Sequence, residues 1–313
     1  MPKLYNASTL ILAANHIKGQ TIKILALKRA SEVSHMPNAY VFPGGNHHAA
    51  DEHPDWLSLL SQHECDVKLN IVGFVDESSD IQISKAVSTR ITAIRETFEE
   101  CGILICRHKN DSCCNKINDY NIVDKNIWRK KVHNDPYEFL NLCRTFECFP
   151  NIKGLYLFSN WITPKIYPRR YDCKFFIAIM DQVTEGKADN IEIKKVEWQS
   201  VNYFIENNSI FLPPPQVYEL NKLKMFKNIE TLSTFIVDVD SNECSPFIPI
   251  HAFTSDGMII ILPGDEKYDE LFDETRKNTL NFNYNINEFR GNIMHRLEYR
   301  NMPDSSTDIK IDI

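Results

Sequence analysis

Glu96, Glu99 and Glu100, preceded directly by Arg95, put three carboxylates within about one turn if residues 84–101 are helical, as their pattern predicts. Three such charges crowded together repel one another unless a cation sits among them. Hard oxygen ligands of this kind suit Mg²⁺ or Mn²⁺, and Mg²⁺ takes its remaining ligands from water and substrate phosphates. The bland alternative is a solvated acidic face on which Arg95 and Glu99, four residues apart, form an ordinary ion pair. A second feature lies upstream, where the apolar Tyr40-Val41-Phe42 runs into Pro43-Gly44-Gly45, a break at which the backbone can adopt conformations that side chains forbid.

The elements that would position these groups follow from periodicity. Val87, Ile91, Ile94 and Phe98 recur at spacings of three and four, so the helix docks by that stripe while the glutamates face outward on the opposite side, and Gly102 ends it. Residues 8–14 and 21–28 read as two strands joined by a polar turn at Gly19, and residues 155–158 and 175–179 as two more. Helices are predicted near 54–62, 136–146 and 216–226, the last after a break at Pro213, Pro214 and Pro215, while 107–126 is polar and irregular. Alternating helices and strands indicate a layered α/β or α+β domain.

The chain has 313 residues, 43 % apolar and 25 % charged, enough to bury a sizeable core. A net charge of -7 gives no global attraction for a long polyanion, so nucleic acid is not expected as a partner; a small anionic substrate remains compatible if a local cation opposes that sign. The nine cysteines show no CxxC pair or other zinc-ligand spacing and read as a reduced intracellular thiol set. No run reaches the roughly 18 apolar residues a membrane helix needs, and the first twenty residues fit neither a signal nor a transit peptide, so a soluble intracellular protein is expected.

The run Arg95-Glu96-Thr97-Phe98-Glu99-Glu100-Cys101-Gly102-Ile103 resembles the second half of the Nudix box, and Phe42-Pro43-Gly44-Gly45 resembles its opening. The resemblance implies a Nudix hydrolase cutting a diphosphate bond. Its fold would be α/β, a mixed β-sheet sandwiched between helices, with an insertion at about 46–83 inside the box and a C-terminal helical extension. The Nudix domain would span 5–270, with 271–313 as an extension ending in a frayed tail. Glu96, Glu99 and Glu100 would bind the metal, Arg95 would orient them, Glu96 or Glu99 would serve catalysis, and Gly44 and Gly45 would let the backbone approach helix and phosphates. Asp51 stands where the usual box has a glutamate, and the spacer that follows is longer than usual; a surface loop tolerates such an insertion, but the role of Asp51 is left open.

Several short stretches, Trp161-Ile162-Thr163-Pro164, Pro168-Arg169-Arg170-Tyr171-Asp172, Leu212-Pro213-Pro214 with Gln216, and Leu262-Pro263-Gly264-Asp265, resemble the acyl-coenzyme A diphosphatase branch of that family. That implies hydrolysis of coenzyme A or its acyl esters to 3',5'-ADP and (acyl-)phosphopantetheine. Arg29, Arg169 and Arg170 would then be substrate ligands, the latter two on the extra phosphate. Trp161, Phe175 and Phe176 read as core, His47 and His48 as surface, and Glu192 as one of several acidic residues that are candidates for a base. Rival readings are a Nudix hydrolase of ADP-ribose or a dinucleotide, and a catalytically silent Nudix-fold binding module. The branch implies a peroxisome, whereas Lys310-Ile311-Asp312-Ile313 does not match a Ser-Lys-Leu type address.

Overall fold

In the computed structural model the described residues are 3–15, 21–61, 83–111, 117–240, 245–273, 275 and 279–300. The near-continuous apolar run of β1 (Leu4–Ala14) makes it the central strand: Leu10, Leu12 and Ala14 enter one core while Ile11 and Ala13 enter the other. A strand buried on both faces needs no polar alternation. β2 (Lys23–Arg29), β3 (Tyr40–Val41) and β4 (Gly44–Asn46) follow, then a 3-10 turn at Ala49–Glu52, helix α1 (Asp55–Ser61) and helix α2 (Lys85–Cys101). Next come β5 (Cys106–His108), α3 (Lys125–Asn134), α4 (Glu138–Thr145), β6 (Cys148–Pro150), β7 (Tyr156–Ile162), β8 (Arg170–Met180) and β9 (Ile193–Ser200). Helices α5 (Val201–Glu206), α6 (Pro214–Lys224) and α7 (Ile229–Asp240) complete the layer.

The main sheet has seven strands and is mixed. β1 pairs in parallel with β8 from Leu4↔Arg170 to Ala14↔Met180, while its other edge is shared, antiparallel, by β2 at Ala13 and Ala14 and by β4 at residues 7–9. On one face Val87, Ile91, Ile94 and Phe98 of α2, all fully buried, pack with Leu10, Leu12, Leu27 and Phe176. On the other, Leu220, Leu223, Leu232 and Ile236 of α6 and α7 pack with Ile11, Ile24 and Ile177. The expected α/β sandwich is therefore present, and the apolar stripe of α2 docks as predicted.

Departures are local. The short strand β9 and the polar helix α3 were not anticipated, since Lys194, Lys195 and Glu197 in one and a charge-rich run in the other mask the pattern. The C-terminal extension is not helical: β10 (Ile250–Thr254), β11 (Gly257–Ile261), the single turn α8 (Tyr268–Leu271), β12 (Leu280–Asn281) and β13 (Arg296–Arg300) build a second, four-stranded sheet in the order β12-β10-β11-β13. The boundary expected at 270 falls inside it, because Ile250, Ala252, Ile259 and Ile261 need Ile286 and Phe289 from beyond that point to close their core. The turn at Gly19, most of the expected insertion and the tail after Arg300 lie outside the described residues. No helix among the described residues is long and apolar enough to cross a membrane.

Candidate active site

β4 crosses α2 at the point where its first glutamates stand, and only glycine lets it do so. A Cβ on Gly45 would lie 2.4 Å from Cδ of Glu96, and one on Gly44 would lie 2.4 Å from the Ser8 carbonyl oxygen of β1. Neither glycine has a positive φ; among the described residues the left-handed glycines are Gly102 and Gly264. The two residues are needed for space, the close approach of backbone to helix that the resemblance implies, and they do so in a strand and not through unusual dihedral angles. The Gly44 N–H donates to Oε2 of Glu100 at 2.9 Å. At the far end Gly102, at φ 75°, caps α2, and Arg129 from α3 donates Nε to the Glu99 carbonyl at 2.7 Å, closing the helix terminus.

Arg95 is the hub. Its Nε and Nη2 reach both oxygens of Asp51 at 2.8 and 2.9 Å, Nη2 also meets the Asn46 carbonyl at 3.0 Å, and Nη1 donates to Oε1 of Glu96 at 2.9 Å and of Glu99 at 2.6 Å. Asp51, 1 % exposed, accepts further bonds from Thr92 Oγ1 and the His48 N–H. Its role, left open by sequence, is to fix the guanidinium that fixes the glutamates. The glutamates do not form an exposed edge: Glu99 and Glu100 are only 7 % and 6 % exposed, because β4 covers one side and α3 the other. Burial raises all three carboxyl pKa values, Glu96 to about 7, with repulsion from Glu99 and Asp51 adding to the rise at Glu96 and repulsion from Glu96 to that at Glu100. Burial also disfavours the Arg95 charge, but Glu96, Asp51 and Glu99 outweigh it and hold the guanidinium ionised.

These carboxylates open into a cleft of about 650 Å³, a volume suited to a small ligand. Arg29 and Arg169 line it. Arg169 stands over the rings of Tyr5 and Tyr171, 5.5 and 5.4 Å from their centroids, and Arg29 donates Nε to the His35 carbonyl and lies 3.5 Å from Glu192. Burial, then the charges of Arg29 and Arg169, lower the pKa of the nearby His35 ring, so the imidazole adds no third charge to this wall, where Glu192 partly offsets Arg29. Arg170, the first residue of β8, turns away from the face on which Tyr171, Cys173 and Phe175 line the cleft. It is 8 % exposed, donates Nε to the Thr163 carbonyl and lines a separate small cavity with Ile250 and His251. Of the two arginines that the sequence analysis grouped, Arg169 lines the cleft and Arg170 does not. Trp161 and Phe175 are core residues whose edges also reach the cleft, and Trp161 donates Nε1 to the buried Glu219 at 2.7 Å.

A family model described as the NUDT19 Nudix domain matches residues 4–223. The chain belongs to this Nudix family. It is 35 % identical over 272 residues to the acyl-coenzyme A diphosphatase NUDT19 of Xenopus laevis, covering 79 % of this chain and 72 % of that protein. The human protein of the same name is 30 % identical over 298 residues, covering 84 % and 80 %. A solved Nudix hydrolase from Alicyclobacillus acidocaldarius superposes with a TM-score of 0.56 at 18 % identity, covering 75 % of this chain and 97 % of that one, a likeness of fold.

The protein is a Nudix-type hydrolase of diphosphate bonds, and its Nudix helix suits a divalent cation on its own chemistry. Arg95 engages Glu96 and Glu99 through Oε1, and Gly44 engages Glu100 through Oε2, so each carboxylate keeps its second oxygen for another partner. Two nearby groups escaped the sequence analysis. His133, at the end of the unanticipated α3, puts Nδ1 3.6 Å from Oε2 of Glu99. Tyr171, adjacent to the arginines already singled out, forms the aromatic seat of Arg169. Only the sheet register, which pairs Tyr5 with Tyr171, brings the second tyrosine to it.

Proposed function

We propose that the chain hydrolyses coenzyme A or acyl-coenzyme A to 3',5'-ADP and the corresponding (acyl-)phosphopantetheine, using Mg²⁺ or Mn²⁺ held by Glu96, Glu99 and Glu100. The observation that carries the reading is the presence, in one cleft, of the Arg95-anchored carboxylates and the two-arginine wall, in a chain similar to vertebrate acyl-coenzyme A diphosphatases. Coenzyme A carries a diphosphate and a separate ribose phosphate, two anionic groups for two kinds of partner.

When bound, the cation neutralises charge developing on the phosphoryl oxygens and activates water for attack on one phosphorus. Arg95 and Asp51 keep the carboxylates in place, so no reorganisation is needed as that charge develops. Glu96 or Glu99 accepts the proton of the attacking water through the oxygen that Arg95 leaves free, with Glu192 as the alternative acceptor across the cleft. Arg169, stacked on Tyr5 and Tyr171, binds the ribose phosphate in a fixed orientation. Trp161 and Phe175 supply an apolar flank.

Mass spectrometry of the products from coenzyme A, an acyl ester, ADP-ribose and a dinucleotide, with and without Mg²⁺ or Mn²⁺, tests the reading. Metal-dependent release of 3',5'-ADP from the coenzyme A substrates, faster than turnover of the others, is expected. Preferred cleavage of ADP-ribose, or binding without metal-dependent turnover of any of them, overturns it. Arg169→Ala should raise KM about tenfold for coenzyme A and leave that for its 3'-dephospho form unchanged, the loss of one charge-assisted contact.

A further inference from the structure

Three cysteines that the hydrolytic site does not use meet elsewhere in the fold. Cys106 of β5, Cys143 of α4 and Cys148 of β6 have sulfur atoms within 4.8 Å of one another, and the residues are 6 %, 0 % and 1 % exposed. None of them lines the cleft. Their positions in the chain show no paired-cysteine motif; the fold alone assembles them.

The strand register explains how. β5 and β6 pair antiparallel with Cys106 opposite Pro150 and His108 opposite Cys148. Alternation puts Cys106, His108 and Cys148 on one face and Arg107 and Phe149 on the other, where the guanidinium stands 5.8 Å from the ring centroid. α4, which leads into β6 and packs against it, brings Cys143 to the first face. His108 is half-buried on that face but outside the 4.8 Å cluster of sulfurs; its Nδ1 accepts the Asn110 N–H at 3.1 Å, so it joins a metal only if its side chain turns to bring Nε2 inward.

Buried cysteines often serve as small apolar side chains, but such packing does not require three sulfurs at one point. A disulfide, with sulfurs about 2.05 Å apart, would join two and strand the third. A tetrahedral zinc ion, with Zn–S near 2.3 Å, spaces its thiolates about 3.8 Å apart, inside the 4.8 Å within which all three sulfurs lie, and uses all three. Thiolate is also the donor that selects zinc over the hard cations favoured by the Nudix glutamates. We propose that Cys106, Cys143 and Cys148, with His108 as fourth ligand, bind one Zn²⁺ in a closed structural site that ties the β5–β6 pair to α4. Binding releases the thiol protons to solvent.

The test uses the full-length chain, purified under reducing conditions without chelator. Elemental analysis should find about one zinc per chain, retained in Glu100→Gln and lost in Cys143→Ser. Because a misfolded Cys143→Ser would also lose zinc, the wild-type chain is in addition loaded with Co²⁺ after zinc removal. Thiolate-to-cobalt charge-transfer bands with tetrahedral ligand-field absorption are expected, and His108→Ala should keep the charge-transfer bands while weakening Co²⁺ affinity at least tenfold, within the roughly 10–100-fold range for disturbed metal sites. The proposal is overturned if folded, reduced wild-type chain contains no zinc and Co²⁺ gives no thiolate bands, or if two of the three cysteines are found disulfide-linked and the reduced form takes up neither metal.

Discussion

Arg95 and Arg296 meet buried aspartates in the same two-pronged way. Arg95 grips Asp51 through Nε and Nη2, and Arg296 grips Asp265 through Nε and Nη2 at 2.6 Å each. The second pair is closed: Asp265 also accepts the His295 and Lys267 N–H groups, and the remaining Nη1 of Arg296 meets the Phe289 carbonyl. Burial works against the Asp265 charge, but Arg296 and those two amides outweigh it and lower its pKa. The first pair is open, because Nη1 of Arg95 goes on to Glu96 and Glu99, leaving one guanidinium against three carboxylates with Glu100 beside them. One pair locks a fold that is electrically complete; the other holds surplus negative charge where a cation and a diphosphate can use it.

Breaking the closed pair should cost the most stability. Arg296→Ala leaves Asp265 buried and uncompensated and is expected to destabilise by about 3–5 kcal/mol in urea unfolding, with turnover per folded molecule unchanged. In the open cluster, Glu99→Gln should lower kcat/KM by roughly 10²–10³-fold with a much smaller shift in unfolding midpoint; equal losses of stability in both variants would erase the distinction. Asp51→Asn, which disturbs only the anchor of Arg95, should reduce turnover by about 10–100-fold, measured under saturating metal.

The smallest effect, and the most discriminating in sign, is that of pH. Glu96 is raised from 4.5 to about 7, so the folded state binds more protons than the unfolded state between those values, and its contribution to stability falls as pH rises through that window. Asp265, lowered from 3.8, behaves oppositely: its contribution is present above the unfolded value and is lost as pH falls toward the lower folded one. With chelator present, the wild-type melting temperature should drop a few degrees more than that of Glu96→Gln between pH 4.5 and 7, and Mg²⁺ should remove the difference. A melting profile that does not distinguish the two proteins would contradict the account of Glu96.

Much of the reacting centre was legible because it is local. Arg95, the three glutamates and Gly102 lie on one helix, where a spacing in sequence is a direction in space. The apolar stripe of Val87, Ile91, Ile94 and Phe98 was legible for the same reason. Asp51 was not, since its partner Arg95 lies beyond a long and irregular spacer. Arg169 and Arg170 look equivalent in sequence, yet the bend before β8 leaves one lining the cleft while the first strand residue binds the Thr163 carbonyl. The C-terminal sheet was missed because, although β10 and β11 form a tight hairpin around Ser255 and Asp256, its other two short strands join it by non-local pairing.

By itself, the sequence determined the charge inventory, the helix and the need for glycine at 44 and 45, since these rest on residue type and on a repeat of a few residues. The tertiary structure decided which atoms the glycines make room beside, Glu96 and the Ser8 carbonyl, and that the glutamates are buried and held by Asp51 through Arg95. It also decided that three cysteines with no motif share one face. Such facts depend on which distant segments are brought together, and contact between segments is set by the packing of the whole sheet and its layers rather than by any short stretch of chain.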